Sequence, residues 1–248
     1  KWPTPSALAS VPAGEAVRAW GRLGYPRRAL RLHACAVAIV EHYDGIVPDE
    51  VDVLLTLPGV GDYTARAVAA FGYGQRPPVV DPNVRRVIAR AVDGNGQPAP
   101  PSTRRDLAAT EVLLPLHPSD AQVASAAIME LGAIVCTSRS PRCDVCPIAG
   151  QCAWRAAGYP EYSGPTRAVQ TRYEGSNRQV RGKILSELRA GELPVTWADI
   201  RAVWPDAAQL QRAQCQQRVV DGAEPVGRGH QHRGAECFRE VHHVPVPC

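Results

Sequence analysis

Residues 136–152 read CTSRSPRCDVCPIAGQC, a C-x6-C-x2-C-x5-C array that confines four thiols, Cys136, Cys143, Cys146 and Cys152, to one short loop. Loops of this length bury too little apolar surface to hold themselves in place, so sulfur has to supply the bond. At the end of a helical stretch, and in a chain whose first residues KWPTPSALAS lack the regions of a secretory leader, four clustered thiols favour metal ligation over disulfides. Two centres accept four thiolates, a [4Fe–4S] cluster and a structural zinc. Zinc ribbons come as two distant C-x2-C pairs, and only Cys143 and Cys146 are so spaced. The array therefore reads first as iron–sulfur and second as zinc.

Upstream of the array the pattern is helical with short loops. EAVRAWGRLG brings Val17, Trp20 and Leu23 to one face and meets Gly24 as a stop. ALRLHACAVAIVEHY repeats Leu30, Ala34, Val37 and Val40, and DEVDVLLTL follows with Asp49 as its N-cap. YTARAVAAFGYG and NVRRVIARAV are two more helices, and SDAQVASAAIMELGAIVC is another, capped by Ser119 or Asp120. Strand alternation is scarce, so the fold class is all-α. Cys35, within a helical stretch, reads as a small core residue.

Two segments between these helices carry chemistry. In LPGVGDYTARA, Gly59 and Gly61 flank Val60 just before a helix; they lack the side chains that would keep a phosphate away and permit positive φ, so that backbone N–H groups converge on one oxyanion at the helix start. Leu57 and Val60 would anchor the arms. The same residues equally suit a glycine-softened turn between two bundle helices. In VVDPNVRRV, Asp81 precedes a helix, where an N-cap is the commonest reason for aspartate and a catalytic carboxylate the alternative.

Charge adds a weaker constraint. Of 28 basic residues only Lys1 and Lys183 are lysines; arginine pairs planar oxyanions bidentately, which fits phosphate binding, though the net charge is only +4. No apolar run approaches the ~18–20 residues of a membrane span, so a soluble, cytoplasmic protein is expected. The chain begins at Lys1 and its sole methionine is Met129, which reads as a fragment. The expected domains are a helical core over 1–135, a cluster loop over 136–157, a linker with a short helical segment over 158–208, and a tail over 209–248. That tail gathers Gly, Pro, His and Arg without an apolar period and reads as disordered or non-native. Its Cys237, with His230, His232, His242 and His243, is a poor metal site for the same reason.

Taken in order, the hairpin, the aspartate and the four-cysteine loop resemble the helix–hairpin–helix base-excision DNA glycosylases that carry an iron–sulfur cluster. Within that superfamily the chain resembles the MutY-type adenine glycosylases, through WGRLGYPRRALRLHACA, LPGVGDYTARAVAAFGYG, VVDPNVRRVIAR and IMELGAIVCTSRSPRCDVCPIAGQC, over residues 1 to about 170. The resemblance implies the helix–hairpin–helix glycosylase fold, a [4Fe–4S] cluster, mismatched double-stranded DNA as partner, a monomer, and a bacterial nucleoid setting. It implies catalytic roles for Asp81, Tyr63 and Asn83, and DNA contacts from Gly59, Val60, Gly61 and Arg85. Tyr63 stands where the related endonuclease III enzymes hold a lysine that forms a Schiff base, so the implied reaction is monofunctional: water is the final nucleophile, with Tyr63 hydrogen-bonding near the sugar or Asp81. Asp81 would stabilise or capture the cationic sugar as adenine opposite 8-oxoguanine or guanine departs, and Asn83 would orient Asp81 or the water.

Three departures accompany the resemblance. The family's general-acid glutamate lies in an early helix upstream of anything matching here, and Glu15 has the wrong surroundings to replace it, so little catalysis is expected of this sequence as it stands. Nothing after residue 173 resembles the Nudix-type module that reads 8-oxoguanine in longer members. Pro82 stands where a small residue is usual, at a helical position that suits its fixed φ. Two rivals remain: a thymine or uracil mismatch glycosylase of the same superfamily, and a non-catalytic iron–sulfur DNA-binding module.

Overall fold

The computed structural model describes residues 1–165, 172–190 and 196–220, and among them the regular structure is helical throughout. They divide into two units, Lys1–Arg167 and Ala168–Cys248. No helix among the described residues is long and apolar enough to cross a membrane.

In the first unit α1 (Pro5–Ala9) and α2 (Ala13–Trp20) pack on one side of α3 (Arg27–Tyr43), while α4 (Val51–Thr56) and α5 (Asp62–Ala67) share a core with its other side. Leu8, Ala16, Ala29 and Ala36 form the first contact; Cys35, Ile39, Leu54, Leu57, Ala65 and Ala69 form the second. A helix packed on two sides buries more than one stripe, and this corrects the sequence reading: Ala29, Cys35, Ala36 and Ile39 are its buried residues, while Leu30 and Ala34 are exposed. The end of α2 also moves. Gly21, at φ 56, stops the helix by donating its N–H to Arg18 O, and Gly24, at φ 71, turns the chain again while its carbonyl accepts the Trp20 indole N–H.

The α4 helix starts after Glu50, and Asp49, the expected cap, accepts a hydrogen bond from Gln75 instead. The α5 helix widens into a π turn at Val68–Gly72. Then come α6 (Pro82–Ala91), α7 (Thr103–Glu111) and α8 (Pro118–Glu130), the last running on into a second π turn, Leu131–Val135. Pro118 opens α8 behind His117, because proline's fixed φ and missing N–H suit a first helical position; Ser119 and Asp120, expected as caps, lie inside the first turn.

The α8 segment ties the unit together. Near its start the Gln122 amide donates to Ala70 O in the α5 π turn, and ten residues on Gly132 packs against Asn83 of α6. At 1.5 Å per residue these points are about 15 Å apart along one rod. After α8 the cysteine loop passes through two short 3-10 turns, Cys143–Val145 and Ala149–Gln151, into α9 (Ala153–Ala156).

The second unit holds α10 (Asn177–Ala190), α11 (Trp197–Ala202) and α12 (Ala207–Val220) around Val180, Ile200, Leu210 and Ala213, with Ile184 and Trp204 alongside. Thr196 and Asp199 form a reciprocal capping box at the start of α11. The α12 helix continues past residue 209 because Leu210 and Ala213, one turn apart, both reach this core. Residues 221–248, which hold Cys237, Cys248 and the four tail histidines, lie outside the described residues, as do 166–171 and 191–195.

Candidate active site and cluster loop

The hairpin between α4 and α5 is closed by Val60 N–H donating to Leu57 O at 3.1 Å, and both apolar arms reach the core: Leu57 is buried and Val60 packs beside it. The two glycines do different work, which corrects the expectation that both adopt positive φ. Gly59 has φ 78, and a β-carbon there would sit 2.6 Å from Cβ of Arg31, whose stem lies across the turn. Gly61 is extended, at φ −108, and caps α5 without a side chain. A β-carbon on Gly61 meets nothing within 4 Å, so this residue keeps open the space in front of the first α5 amides. No side chain caps those amides, which leaves donors for an anion.

Asp81 is the N-cap of α6, with one carboxylate oxygen accepting Val84 N–H at 2.7 Å. Its other oxygen accepts the Asn83 amide at 2.9 Å. Asn83 in turn accepts from Arg86 at 2.7 Å, and Arg86 is anchored to the end of α8 through Gly132 O at 2.5 Å and Cys136 O at 2.7 Å. Burial pushes the Arg86 guanidinium below its ordinary value, with Cys136 and Asp81 pulling the other way. The chain Asp81, Asn83, Arg86, Cys136 thus runs from the carboxylate to the first cysteine of the loop. Gly132 makes it compact: a β-carbon there would fall 2.7 Å from Asn83 Cβ and 2.8 Å from Asn83 O.

The four cysteines are free of disulfides and line one open recess together with Arg90 and Trp154. Among the described residues no three Cys, His, Asp or Glu side chains close on a point that would hold a single metal ion. A lone zinc, with Zn–S near 2.3 Å, draws its sulfurs to about 3.8 Å from each other, whereas a cubane cluster fills a wider space between them. Four free thiols around one recess match the donor set that the cluster takes. Arg90 supplies a second argument. It is only 4 % exposed, donates to the carbonyls of Gly96, Thr137 and Ser138, approaches Cys136 Sγ at 3.4 Å, and stacks 4.8 Å from the Trp154 ring. None of these partners is a carboxylate. A buried cation needs an anion beside it, and thiolates held by iron provide one.

The remaining sequence candidates are placed as follows. Arg85, expected on DNA, is turned inward: it pairs with Asp106 at 2.7 Å, donates to Ala99 O, and is 10 % exposed. Tyr63 is 44 % exposed in the first turn of α5; its hydroxyl makes no hydrogen bond among the described residues, so Asp81 is not its partner here. Glu15 in α2 faces Lys1 and Arg18, each at 3.5 Å, as its unsuitable surroundings suggest. Arg139 and Arg142 are both exposed on the cysteine loop; Arg142 donates to Ile134 O, while Arg139 makes no hydrogen bond among the described residues. Cys35 is buried, and burial pushes its thiol up, as befits an inert core residue.

Sequence reasoning missed Arg86, Arg90, Gly132 and Trp154. The spacing of Arg86 and Arg90, four apart on one helix, was a usable signal for one shared face. Gly132 carried a fainter one, a glycine inside a helical run.

Comparison with known proteins identifies two family matches, two close relatives and one similar solved structure. The HhH-GPD superfamily of base excision DNA repair proteins matches residues 1–110, and the iron–sulfur binding domain of endonuclease III matches residues 136–152. An adenine DNA glycosylase of Mycobacterium tuberculosis (strain H37Rv) is 56% identical over 214 residues, covering 86% of this chain and 69% of that protein. One from Mycolicibacterium smegmatis is 55% identical over 223 residues, 90% of this chain and 74% of its own. Among solved structures, a trapped covalent endonuclease III–DNA intermediate with an estranged adenine superposes with TM-score 0.56 at 25% identity, over 64% of this chain and 73% of that one.

Proposed function

Because the chain belongs to the adenine DNA glycosylase family, within the HhH-GPD superfamily of base excision DNA repair proteins, we propose that it hydrolyses the N-glycosidic bond of adenine mispaired with 8-oxoguanine or guanine in duplex DNA.

One observation carries the reading. An N-cap needs a single carboxylate oxygen, and Asp81 gives one to Val84 N–H; yet its second oxygen is also fixed, by Asn83, and Asn83 is itself fixed by Arg86. Orientation determined this far beyond the needs of a helix end is what a reacting group requires. In the proposed reaction the adenine leaves the stack before its bond breaks. Positive charge grows on the sugar C1′, and the Asp81 carboxylate beneath it stabilises or transiently captures that cation. Water then adds its hydroxyl at C1′ while its proton ends on the released adenine, with Asn83 orienting the carboxylate. Gly59 to Gly61 and the first amides of α5 hold a backbone phosphate and ignore sequence. Tyr63 has no amine, so no Schiff base forms at that position and the reaction ends at base release.

A [4Fe–4S] cluster would be held by Cys136, Cys143, Cys146 and Cys152 and would supply rigidity and negative charge to their loop. Arg90 answers that charge, and Arg86 carries the loop's position to Asn83. Arg139, exposed on the loop, adds a phosphate contact.

The test is single-turnover base release, by the chain extended with the upstream helix that carries the family's general-acid glutamate, from duplexes holding adenine opposite 8-oxoguanine, adenine opposite guanine, or thymine opposite guanine, read as alkali-labile strand breaks. Adenine release from the first two, abolished in Asp81→Asn, is expected. Preferential thymine release would replace this reading with that of a thymine mismatch glycosylase.

A further inference from the structure

The first turns of α3 break an ordinary rule of helices. Arg27, Arg28 and Arg31 gather at its N-terminal end, where the helix dipole disfavours cations, with no acidic residue in the first turn and no side-chain cap. Arg27 and Arg31, four apart, also repel one another along the helix face. Neighbours relieve part of this: Arg28 stacks over the Trp20 ring at 5.4 Å. Arg31 receives no such relief. Its side chain is exposed, and its guanidinium has no hydrogen bond or ion pair to any described residue.

Its stem is nevertheless built in. A β-carbon at position 59 would lie 2.6, 3.0 and 3.1 Å from Cβ, Cδ and Cγ of Arg31, so glycine is required there as much by this stem as by its φ of 78. A methylene chain laid across the tip of the hairpin delivers a free cation to the edge of that turn. Arg76, Arg85, Arg86, Arg90 and Arg105 by contrast all donate to internal partners.

We propose that Arg31 is a DNA-backbone contact of the hairpin, gripping a phosphate adjacent to the one held at Gly59 to Gly61 and so positioning the strand over the turn. This rests on the DNA-binding reading of that hairpin. The stem sets the register through Gly59, and the guanidinium supplies the charge. Such a contact is indifferent to sequence and releases condensed counterions from the duplex.

The test is the salt dependence of duplex binding by the whole 248-residue chain with its cluster in place, measured for Arg31→Met, which keeps the stem against Gly59, for Arg31→Ala, and for Arg31→Lys. One phosphate contact contributes a slope near 0.9 in log K against log salt, or about 3.5-fold in affinity between 50 and 200 mM salt. R31M and R31A are expected to lose that increment equally on matched and mismatched duplexes, and R31K to restore it. A slope in R31M equal to that of the unaltered chain, with R31A alone impaired, makes the residue a packing element and overturns the proposal. A loss confined to mismatched DNA overturns it too. If the unaltered chain shows no salt-dependent binding, the DNA reading of the hairpin falls first and takes this proposal with it.

Discussion

Gly132 at the end of α8 lies so close to Asn83 in the first turn of α6 that no side chain fits between them: an added β-carbon would meet Asn83 Cβ at 2.7 Å and its carbonyl at 2.8 Å. The helix bearing the cysteine loop is thereby pressed against the residue that orients Asp81. Gly132→Ala has to push α6 away, and overpacking of this kind costs about 1–3 kcal/mol. A lower denaturation midpoint is expected together with slower base release, and unchanged kinetics in a destabilised variant would show that the two helices are not coupled.

Asp81→Asn separates the two duties of that residue. Asparagine keeps the cap on Val84 N–H, but its amide nitrogen faces the Asn83 donor where an acceptor oxygen stood, so a stability loss of only about 1 kcal/mol is expected. The negative charge beneath the sugar is lost, and the single-turnover rate is expected to fall by ~10²-fold or more. A variant equally slow and much less stable would return Asp81 to a purely structural part.

The hairpin glycines are expected to respond differently to the same substitution. Gly59→Ala places a β-carbon at positive φ and against Arg31, and is expected to destabilise by about 1–3 kcal/mol. Gly61→Ala meets open space at an extended φ, so thermal unfolding should hardly move, while duplex affinity drops because the methyl occupies the approach to the α5 amides. Equal loss of stability in both variants would contradict the geometry.

Arg90→Met is expected to lower the iron content of purified protein and to cost on the order of 3 kcal/mol, since it leaves the carbonyls of Gly96, Thr137 and Ser138 without their donor and the thiolates without a cation. Iron analysis with the visible absorption of the cluster reads the first effect, and chemical denaturation the second. Full iron occupancy would mean that Arg90 serves packing alone.

Asp106 gives a pH signature. Burial tends to raise its carboxyl, but Ser102 N–H, Arg105 and Arg85 together outweigh that and hold it below the usual carboxylate range. A group depressed in the folded state stabilises fully above its unfolded value, about 3.9, and loses that contribution as pH falls toward the folded one. From about pH 5 downward the unaltered chain should therefore lose stability more steeply than Asp106→Asn. Parallel profiles would place the pair with Arg85 among those that contribute nothing.

What could be read without coordinates followed local rules. The cysteine spacing named its own chemistry, and Asp81 announced a helix start because proline and a periodic apolar run follow it. Arg85 and Arg86 show where such reading stops. They are neighbours on one helix with the same side chain, yet one turns to Asp106 and the other to carbonyls at 132 and 136. No residue type marks a backbone carbonyl some fifty positions away as a partner. The two glycines of the hairpin were likewise indistinguishable in sequence, since only the neighbouring Arg31 stem and the backbone angles separate their tasks. The buried face of α3 was misread because a single stripe was sought on a helix with cores on both sides.

The π turn at Leu131–Val135 sets the rotational phase of everything that follows it. Each helical residue advances the chain by about 100°, so deleting one residue from this turn would wind α8 tighter and swing Cys136, with the loop behind it, through more than a quarter of a revolution, away from Arg90. One surplus residue in a helix therefore works as an angular spacer, and the metal centre's alignment with the aspartate is encoded in that count.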